Sequence, residues 1–150
     1  MKYTLILLFL TSLQLRLTTA PVINSQKPQQ QINWDSTVNW KIYKIANFKA
    51  IFRVPPDSLL YIENRPLNDD SVHHYLSGAA KLPGNQTWMG CFLLSYELAD
   101  HSIRKAVISQ YAGFFYAQTE HCFYQINAEQ QKEWLDYLSA TYIAMPSNNK

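Results

Sequence analysis

The chain has 150 residues, 13 Lys and Arg against 11 Asp and Glu, and 14% aromatic residues. Lys2 and Arg16 fall inside an N-terminal export signal, so the remainder carries equal numbers of acidic and basic residues. A balanced chain without runs of Lys or Arg lacks the positive footprint that nucleic acid or an anionic membrane surface requires, so neither is an expected partner.

Residues 1–20 read as a secretory signal peptide. Lys2 supplies a positive start, and an apolar run, TLILLFLTSL, follows. Gln14 and Arg16 end it well short of the about 20 apolar residues that a spanning helix needs. Thr18 and Ala20 provide the small-residue end of a cleavage region. Pro21 disfavours a cut directly after Ala20. The expected location is secreted or periplasmic, with no membrane contact once the signal is removed. Residues 21–33 form a polar, Gln-rich leader of flexible character. A single α+β domain is expected over residues 34–146, then a polar tail over 147–150.

Within the domain, residues 38–45 and 50–54 are rich in Ile, Val, Phe, Tyr and Trp, and Asn47 to Lys49 can turn between them. That pattern predicts a hairpin. Pro55 and Pro56 stop its second strand, since proline cannot donate to a ladder. A short helical turn is expected between Asp57 and Leu67. Asp69, Asp70 and Ser71 suit a helix start. Val72, Tyr75, Leu76, Ala79 and Leu82 follow at helical spacing, and Pro83-Gly84 ends the element.

Residues 88–126 read as a three-stranded meander. Pairing Leu98 with Ile103 places Glu97 opposite Arg104, an opposite-charge pair. This register puts Trp88, Phe92, Leu94, Tyr96 and Leu98 on a core face with Ile103, Val107 and Tyr111. The other face is mixed and carries Leu93, Glu97, Arg104 and Ile108. Ala112-Gly113 marks a bend in a long second strand, and the third strand covers residues 121–126. Asn127 and Gln130 open the last helix in a capping-box-like arrangement. Gln131, Trp134, Leu135, Leu138 and Tyr142 make its stripe, and Pro146 closes it. The fold class is therefore α+β: an antiparallel sheet of about five strands in β-β-α-β-β-β-α order, with helices packed on one face.

No catalytic constellation emerges. His121 and Cys122 are strand neighbours and point to opposite faces. The histidine and cysteine spacings match no metal motif, and no Gly-rich phosphate loop or nucleophile elbow is present. No cofactor and no metal are expected. Cys91 and Cys122 lie on the first and third meander strands, which places them at least about 9 Å apart, beyond disulfide reach. Asn85-Gln86-Thr87 is an N-glycosylation sequon. Ser36, Ser58 and Ser71 each follow an Asp, a short O-glycan acceptor pattern that also matches ordinary cap chemistry.

Function is read by exclusion. A small exported domain of balanced charge and high aromatic content, without a catalytic centre, is expected to bind another protein, in the manner of an inhibitor or immunity protein. The mixed sheet face offers the contact residues: Leu93, Ile108, Gln110, Phe114, Tyr116, His121 and Phe123. A carrier of a small apolar ligand held between sheet and helices is the alternative.

Overall fold

A computed structural model describes residues 32–45 and 47–145. The expected signal peptide, nearly all of the leader and the polar tail lie outside the described residues. The protein is α+β, and its described residues form one antiparallel sheet of seven strands. These are β1 (Val38–Tyr43), β2 (Asn64–Pro66), β3 (Ala80–Leu82), β4 (Gly90–Glu97), β5 (Ile103–Ser109), β6 (Phe114–Ala117) and β7 (Cys122–Gln125). They run side by side in the order β2-β1-β4-β5-β6-β7-β3. Among the described residues, the α-helices are α1 (Asp69–Leu76) and α2 (Gln131–Ile143).

The sheet is larger than the sequence suggests, and each difference has a local cause. The helix expected to run on to Leu82 stops at Leu76. Gly78 takes a positive φ of 76° there, a conformation cheap for glycine and a common helix end. The freed residues become β3, which pairs with β7. The long second meander strand is two strands, β5 and β6, because Ala112 turns the chain at a φ of 52°. The meander therefore has four strands, and Cys91 on β4 is separated from Cys122 on β7 by two strands instead of one. Neither cysteine is in a disulfide among the described residues.

The expected hairpin of residues 38–45 with 50–54 does not form. Phe48–Arg53 is a 3-10 helix, started by Asn47, whose side-chain oxygen accepts from the Lys49 N–H at 2.9 Å. A second 3-10 helix, Pro56–Tyr61, falls where a short helical turn was expected. The strand partners of β1 are β2 and β4.

The β4–β5 register is one residue from the expected one. Glu97 pairs with Ile103, Tyr96 with Arg104, Leu94 with Ala106 and Phe92 with Ile108. Since side chains alternate, a one-residue slip exchanges faces along a whole strand. Ile108 thus belongs to the main core, not to the opposite face, and Val107 takes the place expected of it.

The main core lies between the sheet and both α-helices. Trp40, Ile42, Leu94, Tyr96, Ile108, Phe115 and Tyr124 meet Val72 and Leu76 of α1 and Trp134 and Leu138 of α2. Trp34, on a 3-10 turn before β1, enters edge-on against Tyr124 at 4.9 Å and Phe115 at 5.0 Å between ring centres. Burial of a side chain such as Leu138 contributes about 1.5–3 kcal/mol. The opposite face has its own smaller core. Ile51 and Leu59, from the two 3-10 helices, cover Leu93 and Val107 beside Tyr43 and Ile45.

Between Val38 and Lys41 the β1–β4 pairing shifts by one residue, a bulge in which Asn39 adopts a φ of 54°. The bulge turns Trp40 into the main core, stacked on Tyr96 at 4.7 Å. Its indole N–H donates to Thr37 Oγ1 at 2.9 Å.

Candidate functional site

The face away from the α-helices divides into three zones. Its middle is the small core under the 3-10 helices. One flank is aromatic and the other is a polar groove.

The aromatic flank grows from the alternation of β6 and β7. Phe114 and Tyr116 point outward from β6 and Phe123 from β7, and Trp88 joins them from the segment before β4. Trp88 lies 5.5 Å from Phe123, 5.7 Å from Phe114 and 6.0 Å from Tyr116 between ring centres, in edge or tilted arrangements favoured by aromatic quadrupoles. Phe52 of the first 3-10 helix closes one side, edge-on to Trp88 at 5.1 Å. Phe123 is buried at the centre, and Trp88, Phe114 and Tyr116 are half-buried. Met89 is 65% exposed and Tyr111 73% exposed at the border. A shallow apolar cavity of about 200 Å³ opens there between Trp88, Met89, Gln110, Tyr111 and Phe114. Burial raises the Tyr116 phenol above its ordinary value, and Tyr116 Oη and His121 Nδ1 share a hydrogen bond at 2.9 Å.

Five of the seven contact residues expected from the sequence surround this patch: Gln110, Phe114, Tyr116, His121 and Phe123. The other two do not. Leu93 is fully buried beneath the 3-10 helices, and Ile108 faces α1 and α2 from the opposite side of the sheet. Trp88, Met89, Tyr111 and Phe52 complete the patch and are not among the seven expected contact residues. Strand alternation puts Trp88 on the core face, but Trp88 precedes β4, and the pairing shifts between Gly90 and Phe92. Tyr111 was placed within a strand, whereas it sits in the β5–β6 turn.

The groove, about 710 Å³, lies between the Pro56–Tyr61 helix and the adjoining parts of β1, β4 and β5. On its floor Tyr43 Oη and Ser95 Oγ are hydrogen-bonded at 2.9 Å. Lys41, Asp57, Glu97 and His101 bring charge to it, and Leu59, Leu60 and Ile103 give it apolar walls. Glu97 accepts from the Asn39 side chain at 2.8 Å and lies 2.6 Å from His101 Nδ1. The hydrogen bond with His101, then that from Asn39, holds the Glu97 carboxyl below its ordinary value.

The modification candidates also find places. Asn85 and Thr87 are exposed between β3 and β4, with Gln86 donating to the Pro83 carbonyl at 3.0 Å. Ser36 Oγ donates to the Asn33 carbonyl at 2.8 Å and Ser71 Oγ to Asn68 Oδ1 at 3.0 Å, so both hydroxyls take part in helix caps. Ser58 is half-buried on the second 3-10 helix. Among the described residues, no group of three or more His, Cys, Asp or Glu side chains is placed to hold a metal ion. No helix among them is long and apolar enough to cross a membrane. No known protein family, curated protein or solved structure matches the chain.

Proposed function

We propose that this chain is an exported, non-enzymatic protein-binding module of inhibitor or immunity type. The aromatic flank around Trp88 is its contact face. One observation carries the reading: Trp88, Phe114 and Tyr116 remain half-exposed on the face away from the α-helices, continuous with Met89 and Tyr111 at their border. Apolar area left in water is unfavourable by about 25 cal/mol per Å², so a partner gains by covering it. Large aromatic side chains with few charges among them are the usual centre of a protein–protein contact.

The test uses residues that the fold does not need. Met89→Asp and Tyr111→Asp each put a charge at an exposed border position, where desolvation by a partner would be costly. The mature chain and both variants are immobilised and exposed to the extracytoplasmic fraction of the source. The expected result is a partner retained by the parent and lost by the variants, with unchanged melting temperatures. A partner retained equally by all three defeats the assignment of the face, and no partner for any of them defeats the function.

A further inference from the structure

We propose that the groove between β1, β4 and the Pro56–Tyr61 helix is a second binding site. Its ligand class is a small carboxylate with an apolar tail: the head lies against Lys41 and the Tyr43–Ser95 pair, and the tail lies along Leu59, Leu60 and Ile103.

The argument begins with hydrogen-bond accounting. Tyr43 and Ser95 are 4% and 3% exposed, and their hydroxyls are 2.9 Å apart. Two hydroxyls own two protons, and the bond between them uses one. Neither hydroxyl has another side-chain or backbone acceptor among the described residues, so one O–H donor is left for the groove. A buried donor without an acceptor is costly, and an acceptor atom on a ligand removes that cost.

Charge adds to this. Lys41 and Lys105 are the direct cross-strand neighbours of Ser95, one on each side. Lys105 is committed, since its ammonium donates to the Val54 carbonyl. Lys41 lines the groove, where its charge acts on the Glu97 carboxylate, but among the described residues its ammonium makes no direct hydrogen bond or salt bridge. The floor thus presents one ammonium and one hydroxyl proton, a donor set suited to a carboxylate. Two acidic groups also line the groove. Glu97 is occupied by Asn39 and His101, and Asp57 stands exposed on the helix wall. The volume of about 710 Å³ lies within the range of small-molecule sites. Leu60 and Ile103, 78% and 53% exposed, are the apolar surface that a tail would cover.

This site is separate from the aromatic flank, and its test does not depend on that reading. Octanoate and octanol share a tail and differ in the head, so their binding to the mature chain isolates the head. Titration calorimetry should show octanoate bound at least about tenfold more tightly than octanol. Lys41→Gln, at an exposed position, should remove that preference and leave the melting temperature unchanged. Tyr111→Asp, on the aromatic flank, should leave octanoate affinity as it was. The proposal is overturned by absence of octanoate binding at millimolar concentration or by equal binding of octanol. It is equally overturned by Lys41→Gln with parental affinity, or by a loss caused by Tyr111→Asp, which would move the ligand to the other flank.

Discussion

The carboxylate of Asp69 holds the backbone of Trp40 in place. Asp69 Oδ1 accepts from the Trp40 N–H at 3.1 Å, and Oδ2 accepts from the Asn39 N–H at 3.0 Å. These are the two residues of the β1 bulge, whose N–H groups the shifted ladder leaves free. Asp69 is also the first residue of α1, where a negative charge suits the positive helix end. While Asn68 caps the helix, the Asp69 side chain fixes the bulge and aims Trp40 into the main core.

Asp69→Ala should therefore cost about 2 kcal/mol, the scale of hydrogen bonds to a charged group. Asp69→Asn, which retains one acceptor oxygen, should cost less. Urea unfolding of both variants checks the order.

The observed register separates two neighbouring residues sharply. Ile108→Asp puts a carboxylate against α1 and α2 and should unfold the domain, because nothing in that core compensates the lost hydration. Gln110→Asp, two residues later in an exposed turn, should leave the melting temperature within about a degree of the parent, as surface changes usually do. Circular dichroism melts decide it. A folded Ile108→Asp protein would restore the register expected from the sequence.

Gly90 is a packing requirement. A Cβ there would lie 2.6 Å from Val107 Cγ1 and 3.1 Å from Phe52 Cζ. Gly90→Ala should destabilise by about 1–3 kcal/mol, as overpacking does. Combining it with Val107→Ala should cost less than the sum of the two single changes, since the second makes room for the first. A double-mutant cycle in urea measures that coupling.

The thiols should stay reduced in air. Three strand spacings separate β4 from β7, about 14 Å, twice the reach of a disulfide. Cys122 is buried, and burial raises the Cys91 thiol above its ordinary value, which suppresses the reactive thiolate. Thiol reagents should label Cys91 slowly and Cys122 only after denaturation. Intact mass should show no loss of two hydrogens on oxidation.

Glu97 should make the domain sensitive to acid. Its folded-state pKa is depressed below the ordinary 4.5 by the His101 and Asn39 hydrogen bonds. A depressed carboxyl stabilises the fold at pH above the ordinary value, and that contribution is lost as pH falls through the depressed one. The stability difference between the parent and Glu97→Gln should therefore be largest near neutrality and shrink below pH 4.5. Thermal melts across the acid range test the sign. A difference that grows on acidification contradicts it.

Long, periodic elements were legible in the sequence. Trp134 and Leu138 sit on the buried stripe of α2 as their spacing demanded, and α1 starts where the Asp pair placed it. Short elements without a period were not. Ala80–Leu82 has three residues, too few to show alternation, and Pro83-Gly84 looked like the end of a longer helix. Residues 48–53 have strand-like composition, but Ile51 and Leu59 are needed to cover Leu93 and Val107, a demand set by a distant part of the chain. The signals available there were the Asn47 cap and Pro56 at a helix start. The contact face was partly legible, because Phe114, Tyr116 and Phe123 follow from alternation within β6 and β7. Ile108 depended on the β4–β5 loop. The Glu97–Ile103 pairing gives that loop one residue more than the sequence reading did, enough to reverse its side.

The two outermost strands have a consequence for how this protein can associate. Each is three residues long; β2 ends in Pro66, and β3 runs directly into Pro83. Among the described residues, neither border offers a long row of free N–H and C=O groups on which another chain could extend the sheet. Polymerisation by strand addition is thereby discouraged at both borders, even though the sheet is wide and rich in β-branched and aromatic residues. The proposed contact therefore rests on side chains of the broad surfaces, where shape and chemistry can discriminate between molecules, and not on backbone pairing.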